Sequence, residues 1–219
     1  MALAFEQPVS RRFTGSTLVL ATHNPGKLAE MSMLLSGLGA ECRPAADFAL
    51  PIPDETGATF FENAAIKARH AAAITGLPAL ADDSGFCVEA LGGLPGIHSL
   101  DWAGPTGDFT AACQRVLDML ESRAVPERGA YYTTALALCW PDGHVEYAQG
   151  RVEGIVAPAI EGNGFGYDSI FIPAGETRTM AIIEASPADG MSARSIHSHR
   201  AQALHALIAR CFPESNLHC

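Results

Sequence analysis

The sequence holds no apolar run near the roughly 18 residues a membrane span requires, and its opening stretch, MALAFEQPVSRRF, has no apolar core of the length a secretory signal needs. A cytoplasmic protein with no membrane partner is expected. Cations are scarce: 14 Lys and Arg stand against 24 Asp and Glu, a formal net charge of −10. This argues against a broad electrostatic grip on nucleic acid, which needs clustered Lys and Arg against phosphates. A small polyanion could bind only with local help from a divalent cation or a few placed basic residues. The six cysteines (Cys42, Cys87, Cys113, Cys139, Cys211 and Cys219) contain no C-x-x-C pair. They read as small buried hydrophobes or free thiols of a reduced compartment, not as zinc ligands. Internal repeats, low-complexity tracts and linkers between independent domains are also missing.

What is present is a compact chain of 219 residues, 48% hydrophobic and 17% charged, long enough to bury a full core. Residues 1–16 mix Pro, Ser, Arg and Gly without period and read as a loose N-terminal extension. TLVLAT, from Thr17, reads as a short buried strand, and Pro25 and Gly26 open a helix to about Ser36. Thr59 and Glu62 have capping-box spacing before a helix closed by Gly76 and Pro78. PALADDSG reads as a strand running into a carboxylate pair at a turn. Asp108 caps an amphipathic helix with Cys113, Val116, Leu117 and Leu120 on its inner side. GAYYTTALALCW and HVEYAQGRVEGIVA flank a Pro-Asp-Gly turn, the strongest hairpin signal in the chain. A last helix carries Ala203, Leu204, Leu207 and Ile208 as its packing stripe. Interleaved helices and strands make the class α/β, and the long hairpin argues against a purely parallel sheet.

Five segments can carry chemistry. In LVLATHNPGKLAE a lysine, Lys27, opens a helix, where a cation opposes the helix dipole. The placement is reasonable if an anion binds there, and strand, turn, lysine and helix together form a phosphate-receiving arrangement. It is not the G-x-x-x-x-G-K-S/T loop, since Leu28 follows Lys27. Thr22, His23 and Asn24 add polar groups at the same strand end. Asp82 and Asp83 are adjacent carboxylates, costly side by side unless one meets solvent or a cation lies between them. Asp54 and Glu55 supply a second acidic turn, and carboxylates from separate loops with room for water and phosphate suit Mg²⁺. GNGFGYDSIF sets glycines around Phe165 and Tyr167, either of which could stack on a flat ring or simply pack in the core. His199 and Arg200 bring basic groups to the start of the last helix, as a ligand site or as an exposed cap.

Taken together, LATHNPGK, ETGATFFENAAIKARHAA, ADDSGFCVEALGGLPGIHS, GFGYDSIF and SHRAQAL resemble the noncanonical purine nucleoside triphosphate pyrophosphatases, the inosine triphosphatase-like or Ham1-like proteins. The resemblance runs over nearly the whole chain from Leu18. It implies a single α/β unit over residues 17–219, with a mixed, curved central sheet and two lobes around a cleft. It also implies a homodimer that hydrolyses ITP, dITP, XTP or dXTP to monophosphate and pyrophosphate with Mg²⁺. Carried over by position, Thr22, His23, Asn24, Pro25, Gly26 and Lys27 would hold the triphosphate, with Lys27 acting on the leaving group. Glu55 and Asp83 would hold the metal, and Asp83 would accept the proton. Ser84, Phe165, Gly166, Tyr167, Asp168, His199 and Arg200 would contact the nucleotide, and Arg194 stands where a substrate-binding Lys is usual. His23 replaces a common Gly, Ser169 a common Pro and Asp101 a common Arg. Arg200, and His199 when protonated, can only donate hydrogen bonds, which suits a base with a carbonyl at purine position 6. The competing readings are a nucleotide-binding module without turnover and a pyrophosphatase for other modified nucleotides.

Overall fold

The computed structural model describes residues 10–123, 126–186 and 198–212. Six strands form one sheet in the order β2-β1-β3-β4-β5-β6: β1 (Thr17–Leu20), β2 (Glu41–Pro44), β3 (Ala79–Val88), β4 (Gly129–Cys139), β5 (Val145–Val156) and β6 (Phe171–Pro173). β1 pairs parallel with β2 and β3, whereas β3, β4, β5 and β6 pair antiparallel. The sheet is therefore mixed, as the long β4–β5 hairpin requires.

Helices α1 (Pro25–Leu35), α2 (Phe60–Thr75), α3 (Phe109–Ser122), α4 (Met180–Ala185) and α5 (His199–Cys211) surround it. Their ends follow local chemistry. The Asn24 side chain caps α1 by accepting from the N–H groups of Gly26 and Lys27, and Thr59 and Glu62 close a reciprocal capping box on α2. Asp108 caps α3, and Ser198 caps α5. Among the described residues no helix is long and apolar enough to cross a membrane.

Three apolar clusters pack against the sheet. Leu80, Leu136 and Leu138 point to one face, under Met31 and Leu35 of α1 and Leu204 and Leu207 of α5. Ala79, Ala81, Ala135 and Ala137 alternate to the other face, under the alanine-rich side of α2. Further along the same strands Phe86, Val88, Ala130 and Val152 join Val116 and Leu120 of α3 and Phe171 of β6. Phe13, within the stretch read as an extension, is buried against Phe212 in the first cluster.

Between these apolar ends the middle of the sheet is polar. Asp82, Asp83, Ser84 and Gly85 oppose Leu136, Ala135, Thr134 and Thr133, and Thr134 and Thr133 oppose Gly150 and Arg151. The structure here corrects the strand-end reading of the aspartates. β3 does not stop in a turn at the carboxylate pair; it runs through both residues to Val88. Apolar residues resume beyond the pair, and the ladder to β4 continues without a break.

Candidate active site

Mid-strand placement separates the two carboxylates. Successive side chains of a strand point to opposite faces, so Asp82 joins the α1 and α5 side and Asp83 the α2 side. The expected cost of two adjacent charges is avoided by geometry, and each carboxylate has its own lysine.

On the first side, Asp82 Oδ2 accepts from Lys27 Nζ at 2.9 Å, Ser84 Oγ at 2.7 Å and Arg200 Nε at 3.3 Å. Burial works to raise the Asp82 carboxyl, but Lys27 and Arg200 outweigh it and hold the group well below the usual carboxylate range. Lys27 thus meets an anion within the chain itself. Arg200 also reaches Glu30 through Nη1 and Ser84 Oγ through Nη2, the latter at 3.4 Å. Ser84 Oγ is 2.7 Å from Thr134 Oγ1. The Thr22–Lys27 turn lies above this cluster: Asn24 N–H donates to Thr22 Oγ1, and the His23 ring donates to the Leu50 carbonyl at 3.0 Å. His23, which replaces a common Gly, ties the lysine turn to the segment that leads to Glu55.

On the second side, Lys67 Nζ lies 3.1 Å from Glu55 Oε2 and 3.2 Å from Asp83 Oδ1, and Asn63 Nδ2 donates to Asp83 Oδ2 at 3.4 Å. Burial would push the Lys67 ammonium down, but Asp83, Asp82 and Glu55 together hold it above its ordinary value. Burial pushes the Asp83 carboxyl up to about 6, with Glu55 adding to the shift and Lys67 opposing it. A carboxylate poised there can take a proton near neutral pH.

The glycine-rich stretch lies over the far end of this polar belt. Gly166 has φ +62°, a left-handed conformation that favours glycine. It lifts Phe165 out, 70% exposed, with its ring 5.6 Å from that of Phe109. Tyr167 is only 1% exposed: its ring stacks on Phe86 and its hydroxyl donates to the Ser99 carbonyl. Of the two aromatics, Phe165 is therefore the exposed one, while Tyr167 is core. Asp168 accepts from the Tyr132 hydroxyl at 3.0 Å. His199 stacks on the Tyr132 ring, with centroids 5.3 Å apart and planes 10° apart. Burial, with Arg200 beside it, lowers His199 to about 3. The imidazole is neutral at physiological pH, so the condition under which His199 would only donate is not met, and one ring nitrogen can accept. Asp101 is bound to His98 at 2.9 Å on an exposed turn. Arg194 lies outside the described residues.

The sequence reading missed Lys67, Asn63, Glu30 and Tyr132. A signal for the first two was available: Asn63 and Lys67, four apart on one side of α2, interrupt a buried stripe of Ala64, Ala68, Ala71 and Ala72. Glu30 and Tyr132 carried no comparable mark.

A family model described as the Ham1 family matches residues 18–210. The chain belongs to the Ham1 family. Among curated relatives, the dITP/XTP pyrophosphatase of Rhodospirillum centenum is 52% identical over 205 residues, covering 92% of this chain and 98% of that protein. The dITP/XTP pyrophosphatase of Caulobacter vibrioides is 49% identical, covering 90% and 99%. Among solved structures, a HAM1 protein from Coxiella burnetii superposes with a TM-score of 0.81 at 41% identity, covering 88% of this chain and 96% of that one. The Ham1 resemblance drawn from the five motifs, and the mixed α/β sheet it implied, both hold.

Proposed function

We propose that the chain hydrolyses noncanonical purine nucleoside triphosphates, ITP or XTP and their deoxy forms, to the monophosphate and pyrophosphate, acting from the domain of residues 17–219. The observation that carries the reading is Asp83: a carboxyl raised to about 6, bridged through Lys67 to Glu55, and within electrostatic reach of Lys27 across the strand. The names of the relatives support the same substrate class.

Among the described residues no three His, Cys, Asp or Glu side chains converge as a metal cage. Glu55 and Asp83 nevertheless fit Mg²⁺, which takes one or two carboxylates and completes its shell with water and substrate phosphates. The position of Lys67 Nζ between the two carboxylates supports this reading, since the pair already shares one cationic charge. Bound there, the cation would neutralise phosphate oxygens.

The chain's own residues supply the remainder. Asp83 takes a proton from a water whose oxygen attacks the α-phosphorus; the bond from that phosphorus to the bridging oxygen breaks, and pyrophosphate carries the electron pair away. Lys27, with the polar groups of the Thr22–Gly26 turn, receives the phosphates. Phe165 stacks on the base, and the Gly166–Asp168 backbone with Arg200 and His199 borders it. A dimer in the cytoplasm completes the reading, and size-exclusion chromatography with light scattering checks the dimer.

Pyrophosphate release tests the activity, with ITP, XTP, ATP and GTP compared at equal Mg²⁺. ITP and XTP are expected to exceed ATP and GTP by orders of magnitude, up to roughly 10⁴-fold where a base leaves a built hydrogen bond unmade. Equal rates on all four would remove the base selectivity. Binding without release would leave a nucleotide-binding module.

A further inference from the structure

One side chain outside the matched motifs touches both borders of the base site. Tyr132 sits in β4 opposite Phe86 of β3 and Val152 of β5. Its hydroxyl accepts from the Tyr167 N–H at 2.9 Å and donates to Asp168 Oδ1 at 3.0 Å. Its ring stacks on His199, the first residue of α5. Its other neighbours, Phe86 and Phe171, belong to the apolar cluster, with centroids 5.1 Å away in both cases.

We propose that Tyr132 is a positioning residue for base selection: its hydroxyl fixes the Gly164–Asp168 loop and its ring fixes His199, so one rigid side chain sets the spacing between the two borders of the base pocket. The proposal deepens the pyrophosphatase reading and rests on it for the identity of the base.

The physical case has three parts. First, the hydroxyl uses both of its capacities, one proton and one lone pair, on consecutive residues of the loop. That fixes the Asp168 carboxylate and the Tyr167 backbone together, and Gly166 between them and Phe165 is also close: a Cβ there would lie 3.5 Å from the hydroxyl oxygen. Desolvation and the Asp168 carboxylate hold the phenol far above its ordinary pKa, so the donated proton stays in place at any working pH. Second, the loop needs such a tie. Residues 162–165 are exposed and Gly166 is in a left-handed conformation, so the outer half of the loop rests on the anchor of buried Tyr167 and half-buried Asp168 that the hydroxyl holds. Third, the α5 border is held at a matching distance by close backbone contact. A Cβ on Gly150 of β5 would lie 1.9 Å from the His199 carbonyl oxygen, so α5 starts directly on the sheet and delivers the His199 ring onto Tyr132.

The consequence is selectivity. Guanine differs from hypoxanthine by an amino group at position 2 and from xanthine by a donor there in place of an acceptor oxygen, so rejecting it requires polar groups held in fixed places beside that position. A loop free to shift by about an ångström loses such discrimination.

The test is Tyr132→Phe, which keeps the ring, its stacking on His199 and its apolar contacts, and removes one oxygen. Steady-state pyrophosphate release is measured with ITP, GTP and ATP, alongside competitive inhibition by inorganic tripolyphosphate and the thermal midpoint. The expected result is a rise in KM for ITP of about tenfold with kcat nearly kept, and a ratio of kcat/KM between ITP and GTP narrowed by a similar factor. Tripolyphosphate, which touches only the phosphate side, should inhibit both proteins equally. Tyr132→Leu, which also removes the stack, should narrow the ratio further. An unchanged ratio in a folded Tyr132→Phe protein overturns the proposal, and so does an equal fall in kcat on every substrate.

Calorimetry with ITP separates this from the enzymatic reading. If the wild type binds ITP without hydrolysing it and Tyr132→Phe weakens that binding but not tripolyphosphate binding, the activity reading fails and the role of Tyr132 stands. If the wild type binds no purine nucleotide, both fail.

Discussion

Asp82 and Asp83 are the same residue type, adjacent in one strand, yet their surroundings could hardly differ more. Asp82 faces two cations and a hydroxyl at hydrogen-bonding distance and is held firmly ionised. Asp83 shares one lysine with Glu55, accepts one long hydrogen bond from Asn63, and is pushed up to about 6. Desolvation acts on both, so the number and nearness of the cations decides the outcome. A carboxylate with surplus positive charge is fixed in one state and serves as a structural counter-ion. One with a shared cation can change state, which is what a proton acceptor must do.

The largest effect expected from breaking this contrast is on stability at Asp82. Asp82→Asn leaves Lys27 and Arg200 facing each other across a neutral amide in a buried setting, a loss of about 3 kcal/mol or more. For a chain of this size that corresponds to roughly 10 °C in Tm, read by thermal denaturation. Asp83→Asn should do the reverse: turnover falls by about 10²-fold or more, while Tm is kept or raised, since a charge that burial disfavours is gone. Interchanged results would exchange the two roles.

A third outcome concerns His199, on the Asp82 side. It is held neutral, with a folded value of about 3 against an ordinary 6.5. Below pH 6.5 the unfolded chain binds a proton that the folded chain refuses, so this contribution to stability is whole above pH 6.5 and is lost as pH falls toward 3. At pH 5 the loss is about 2 kcal/mol. Denaturation at pH 7 and pH 5 should therefore show a larger fall for the wild type than for His199→Asn. The smallest effect is expected at Lys27→Met. Because Arg200 still neutralises Asp82, the fold should hold, and kcat/KM for the triphosphate should drop by about tenfold. Unchanged kinetics would confine Lys27 to the Asp82 ion pair.

Much of this architecture was legible in the chain. The capping residues Thr59, Glu62 and Asp108, the Gly76 stop and the Pro-Asp-Gly hairpin depend on interactions within a few residues, and each appears where its spacing indicated. Motifs spread over nearly the whole chain sufficed for the family, because a set of short segments in fixed order is far more specific than any one of them. The site was less legible. The termination of β3 at the aspartates was misplaced because two acidic residues weaken a local strand signal that the ladder to β4 restores.

The sequence by itself determined the order of the longer elements, the α/β class and the segments that carry polar groups, since all three follow from periodicity, capping and turn chemistry along the chain, whereas the short β2 and α4 left no such mark. Only the tertiary structure decided which groups meet. Lys27 with Asp82, Lys67 with both Glu55 and Asp83, and Tyr132 with Asp168 and His199 join residues from separate elements. Their charge states depend on burial and on neighbours brought together by sheet register and helix packing, and neither quantity is written in local spacing.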